Sequence, residues 1–362
     1  MRGSTLANFL TRKRVALALV LLLLIGLTML LWFSKNPDRQ LDGRPRQEAA
    51  AFPDEAWVFS QEPISPLPLS VAEDRAIVQL GERLFRDTQL SHDRSRSCAT
   101  CHPLDAGGMD GAPRARALDN VKVLRNTPTI FNLRYDLFFN WDGATESLPI
   151  HDEKVLLSPA LMNTTWPELL GRLRPDAAYA SGFARAYPAG ITRESVLDAL
   201  ATYERALTTP RARFDRFLAG ERAAISSGEQ QGYQLFKSYG CVACHQGVNI
   251  GGNLLQVFGV FDYPDLGPGC KDSDQGRYMI TKDEADRRVF RVPSLRNVAV
   301  TAPYFHNGCA ATLEVAVSTM VRVQLGRVIR PQDVRLIVGF LHTLTGEYAG
   351  RPLLGPRSQV RP

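Results

Sequence analysis

Two cysteine pairs, each followed at once by a histidine, are the residues in this 362-residue chain best suited to chemistry: Cys98-Ala-Thr-Cys101-His102 and Cys241-Val-Ala-Cys244-His245. At this spacing two thiols reach the two vinyl groups of one haem and form thioethers, and the adjacent histidine falls beneath the iron as its axial ligand. Four thiolates from two CxxC pairs can instead hold one structural zinc ion, but zinc gives His102 and His245 no role. A thioredoxin-like thiol centre wants a strand–helix–strand context, and strand signals here are few. Two covalent haem c groups are therefore expected. The other two cysteines, Cys270 and Cys309, are candidates for a disulfide in an oxidising compartment.

The elements that must position these groups occur twice. Ser70-x-x-Glu73 reads as a capping box opening a helix. Val71, Ile77, Leu80, Leu84 and Phe85 recur along it at helical spacing, and Gly81-Glu-Arg-Leu-Phe85 ends it ahead of Cys98. Ser226-x-x-Glu229, Gly232-Tyr-Gln-Leu-Phe236 and Cys241 repeat the arrangement. Each copy closes with a further helix, residues 194–207 in the first and 332–344 in the second, the latter behind Pro331. The expected fold is mainly α: two cytochrome c-like domains with long loops, residues 70–215 and 226–349, linked around 208–225. Gly247 to Arg288 reads as one of the long loops.

Ahead of this body, Val15 to Phe33 is an uncharged run of 19 residues, long enough to cross a bilayer as a helix. It exceeds a signal-peptide apolar core, and Arg12-Lys13-Arg14 before it keeps the N-terminus cytoplasmic. The expectation is a single-pass inner-membrane anchor in residues 1–34, a tether over 35–69 and a periplasmic body. Of the net charge of +6, residues 1–35 carry +5, leaving +1 for the rest. A near-neutral body gives no reason to expect a nucleic-acid partner.

Longer motifs carry a resemblance. Val292-Pro-Ser-Leu-Arg-Asn-Val-Ala-Val-Thr-Ala-Pro-Tyr-Phe-His306-Asn-Gly308, Thr312 to Met320, Arg125-Asn126 to Asn132 and Trp141-Asp142-Gly143 resemble the bacterial dihaem cytochrome c peroxidase family from about residue 70 to 346. The resemblance implies Met320 as the distal ligand opposite His245, where the related MauG proteins have tyrosine. It implies Trp141 between the two haems, His306 near them, and a calcium ion held by Asn126, Thr301 and Pro303. It leaves a homodimer open.

Three positions depart from that family. The loop histidine expected to cap the first haem is Leu118, and the distal glutamate that moves protons is Leu161. At the distal glutamine stands His151, for which three roles fit: acid/base, iron ligand, or surface residue beside Asp152 and Glu153. The resemblance implies reduction of hydrogen peroxide to water, with electrons from a small cytochrome c or a cupredoxin. Oxidation of a partner protein, as by MauG, and a membrane-tethered dihaem electron carrier are the alternatives.

Overall fold

The first helix does not begin where its serine suggests. In the structure, a computed structural model describing residues 62–118, 121, 123–263, 270 and 273–356, α1 is Arg75–Arg86, capped by Asp74, whose carboxylate accepts from the N–H groups of Ala76 and Ile77. Glu73 is drawn away instead by Arg134 and Arg205. The second copy keeps its capping box: Ser226 and Glu229 hold each other at the start of Ser227–Tyr239, which ends on Gly240 at φ 98°.

In chain order the helices are α1, α2 (Cys98–Cys101), α3 (Leu148–Leu157), α4 (Trp166–Leu173), α5 (Ala177–Ala186), α6 (Arg193–Ala206), α7 (Arg213–Leu218), α8 (Ser227–Tyr239), α9 (Tyr278–Thr281), α10 (Leu313–Val323) and α11 (Pro331–His342). Strands are few and short. β1 (Leu255–Val257) pairs antiparallel with β2 (Val289–Arg291), and β3 (Glu347–Tyr348) with β4 (Arg351–Pro352). The described body is thus mainly helical.

The repeat in sequence is a repeat in packing. α1 crosses α6 at Gly81, where a β-carbon would stand 2.0 Å from the Ala199 carbonyl oxygen, and α8 crosses α11 at Gly232, 2.0 Å from that of Leu336. Only glycine lets the backbones come so close. The phenylalanine four residues on from each glycine is buried in the adjoining core. Phe85 packs with Leu84, Leu200 and Tyr203 in the first core, and Phe236 with Tyr233, Ile337 and Phe340 in the second.

The ends of the described body are exchanged between these cores. Ile64, from the end of the expected tether, packs in the second core, while Leu353 packs in the first, with Tyr348 against it. Tyr233 donates to Glu62, and buried Arg296 ties down the Ser65 carbonyl at 2.8 Å. Phe214 and Leu218, from the region between the copies, also lie in the second core.

The membrane expectation is corrected. Among the described residues no helix is long and apolar enough to cross a membrane. The longest, α6, has 14 residues, about 21 Å at 1.5 Å per residue, against a hydrocarbon core of about 30 Å. The run Val15 to Phe33 lies outside the described residues, so no spanning element supports a single-pass inner-membrane location. Cys270 and Cys309 form a disulfide across a Cα separation of 5.8 Å, tying the long loop to the segment after His306.

Candidate active site

Each CxxCH opens onto its own cavity. Cys98, Cys101 and His102, on and just after α2, line one of about 250 Å³. Cys241, Cys244 and His245, after α8, line one of about 400 Å³. In both, the histidine ring is oriented by a backbone carbonyl. Nδ1 of His102 lies 2.9 Å from the Gly108 oxygen, and Nδ1 of His245 lies 3.3 Å from that of Ile250. A carbonyl there fixes the proton on Nδ1 and leaves Nε2 free to bind a metal. Burial also holds both imidazoles in the neutral, ligating form, His245 down to about 4. Thiols and an oriented imidazole in a largely apolar chamber suit a covalently held haem.

The second cavity also receives Met320 from α10, Asn126, Thr301 and Pro303, and His306. His306 is almost fully buried and stacks on Phe290 at 4.0 Å between centroids, with the ring of Trp141 edge-on at 6.4 Å. Trp141 belongs to both cavities, as does the strand of chain from Asn126 to Thr129. Its indole N–H is pinned to the Asn126 carbonyl at 2.9 Å. Among the described residues no group of three or more His, Cys, Asp or Glu side chains could hold a metal ion.

The first cavity is where this chain is unusual. Leu161 lines it, as does His151 from α3. Leu118 is buried instead, its N–H donating to the Ala160 carbonyl at 2.9 Å. His151 is part-buried on the cavity wall, a placement that favours a role inside the cavity over a surface one. Its Nδ1 is buried without a partner. Desolvation first, then the positive fields of Arg291 and Lys154, hold its pKa down to about 3, so the ring is neutral.

Two acids on the same wall escaped the sequence reading. α3 packs on α6, bringing Asp152 against Glu204, and both line the first cavity. They are 6% and 5% exposed. Burial pushes both carboxyls up, Asp152 well above its ordinary range. Asp152 sits in the stripe Leu148–Asp152–Leu156 that α3 buries, and Glu204 follows Leu200 by four residues on α6. That spacing was the available signal: an acid at a position whose helical neighbours are all core leucines.

A buried ion pair holds the frame between the cavities. Arg291, from β2, meets Asp136, which also accepts from Asn249 at 2.6 Å. Arg125 clasps Asp274 through two N–H groups and also reaches Asp142, beside Trp141.

The sequence model of the di-haem cytochrome c peroxidase family matches residues 75–223. Cytochrome c peroxidase Ccp of Escherichia coli is 36% identical over 331 residues, 89% of this chain and 70% of that protein. Cytochrome c551 peroxidase of Nitrosomonas europaea is 36% identical over 317 residues, 86% and 93% of the two chains. Among solved structures, a MauG-like protein associated with microbial copper homeostasis superposes with a TM-score of 0.67 at 27% identity, over 80% of this chain and 94% of that one. Similarity of this extent, laid over a body with two CxxCH cavities, means that the chain belongs to the dihaem cytochrome c peroxidase family.

Proposed function

We propose that this protein reduces hydrogen peroxide to water, with electrons from a small cytochrome c or a cupredoxin. Cys98, Cys101 and His102 would hold one haem c, and Cys241, Cys244, His245 and Met320 the other. When bound, the two haems supply redox-active iron, one to take up electrons and one to meet peroxide. Everything else is done by the chain.

The observation that carries the reading is the shared wall. Trp141 and the segment Asn126–Thr129 border both cavities, so the two centres are separated by a single layer of protein that includes an indole. Met320 lines the larger cavity, and a thioether ligand there suits electron entry, since it raises the potential. Methionine in place of the tyrosine of the MauG branch supports peroxide reduction over oxidation of a partner protein. Asn126, Thr301 and Pro303 line the same cavity, and the reading keeps them as oxygen ligands for one calcium ion. In the smaller cavity His151 lines the wall with an unpartnered Nδ1, a ring nitrogen placed to receive the proton of incoming peroxide.

The test is steady-state turnover of the haem-loaded chain with peroxide and a reduced small cytochrome c. Wild-type protein should consume both. His151→Ala should lower kcat by about 100-fold or more, the usual worth of a positioned acid/base. A wild-type chain that transfers electrons without consuming peroxide refutes the peroxidase reading, and an unchanged rate in His151→Ala refutes the role of that residue.

A further inference from the structure

Leu161 leaves the first cavity without the family's proton-moving glutamate, and His151 alone does not replace it. An imidazole held at about 3 is a weak base that stays unprotonated near neutral pH, so it keeps no proton in reserve for the leaving oxygen. Peroxide cleavage needs a proton taken up and a proton given.

Asp152 and Glu204 are both buried where α3 packs on α6, and two carboxyls brought together out of water do not both stay ionised, so the pair holds at least one proton between them. Both side chains are deeply enclosed, and among the described residues Asp152 Oδ2 and Glu204 Oε2 meet no hydrogen-bond donor. Among the described residues no cation neutralises them in an ion pair. Arg205, next to Glu204, is engaged by Glu73 and Thr202 and acts on the pair through its field. Of the other charged or titratable groups around the pair, Cys98 of α2 belongs to the covalent attachment. Arg291 and Arg125 in the cavity wall are engaged by Asp136, and by Asp142 and Asp274. Arg96 is turned to the Arg116 carbonyl. A pair of ordinary structural carboxylates would be matched with donors, as Asp136 and Asp215 are. Each acid of this pair keeps an oxygen without such a donor, and both line the chamber that holds His151.

We propose that Asp152 and Glu204 are a proton store that serves peroxide cleavage in the first cavity and takes over the task of the missing glutamate. The proposal rests on the peroxidase reading. Reduction of one peroxide to two waters takes two electrons, from the reduced cytochrome donor, and two protons. His151 takes the proton of the oxygen that stays. The O–O bond breaks, and the oxygen that leaves takes a proton from the carboxyl pair and departs as water. The remaining oxygen becomes the second water with the two electrons, the proton parked on His151 and one more. Solvent then refills the pair.

The test uses the haem-loaded full chain carrying Asp152→Asn and Glu204→Gln together, which keeps shape and hydrogen bonding but removes both acids. Turnover should fall about 100-fold in kcat with the KM for peroxide nearly unchanged, and the alkaline fall of kcat expected of wild type should be absent. An infrared pH titration of the resting protein provides a readout independent of turnover. Wild type should show a protonated carboxyl band that decays through neutral pH, and the double variant should not. A double variant with wild-type kcat and pH profile overturns the proposal, because packing alone then explains the pair. A wild-type spectrum without that band also overturns it. A wild-type chain that shows the band but never consumes peroxide fails the peroxidase reading first, and the proposed role falls with it.

Discussion

Replacing Gly232 by alanine tests whether the helix crossing beside the second CxxCH holds the body together. Alanine is about 1 kcal/mol better than glycine inside a helix, so propensity alone predicts a more stable protein. The packing predicts the reverse. The added carbon would sit 2.0 Å from the Leu336 oxygen, 2.7 Å from its carbonyl carbon and 3.1 Å from Phe340 Cβ. Ordinary contact begins near 3.4 Å, so α8 and α11 must part by more than 1 Å. The obstacle is backbone, which cannot swing aside. Overpacking of this kind costs roughly 1–3 kcal/mol, and the shift also loosens the cluster of Tyr233, Phe236 and Phe340. The net expectation is a loss of about 2 kcal/mol. For a body of this size that lowers Tm by about 5 °C, at a few degrees per kcal/mol. Gly339→Ala on the facing helix is the control, since its nearest neighbour would be Glu229 Cγ at 4.0 Å. It should hold or raise Tm. Thermal unfolding followed by circular dichroism at 222 nm compares the two. If Gly232→Ala melts no lower than Gly339→Ala, the close crossing is not what requires glycine.

Two further outcomes follow from buried charge. Asp136→Asn leaves Arg291 charged and uncompensated, at about 3–5 kcal/mol, and a urea midpoint showing a loss below about 1 kcal/mol contradicts this. Glu204 is held up to about 7 by burial, above its ordinary 4.5. The folded state therefore keeps a proton that the unfolded state has released, so this group's contribution to stability is full below about 4.5 and lost as pH rises through about 7. Glu204→Gln should remove that slope and gain on wild type by up to roughly 3 kcal/mol between pH 5 and pH 8 in denaturant unfolding; a gain at pH 5 instead would reverse the sign and refute it.

Much of the architecture was legible because it is local. The spacing of Cys98, Cys101 and His102, its repetition at Cys241, and the two Gly-x-x-Leu-Phe segments announce units that the structure builds with the same helix crossing. Helices at 194–207 and 332–344 appear within a residue or two of expectation. What stayed hidden depends on contacts between distant residues. Ser70 looked like a cap, but Glu73 is held by Arg134 and Arg205, and the helix waits for Asp74. His151 looked equally suited to surface or interior, because nothing in its immediate neighbours says which side of α3 meets α6. Asp152 and Glu204 stand 52 residues apart, and each alone reads as an ordinary helix acid.

The exchange of the body's ends between the two cores constrains how the protein is made. The first core cannot be completed until Leu353 has left the ribosome, although its helices α1 and α6 emerge well over a hundred residues earlier. Ile64 leaves early and has nowhere to pack until α8 and α11 exist. Neither half is a finished object by itself, and a nascent chain must keep the first open until Leu353 arrives.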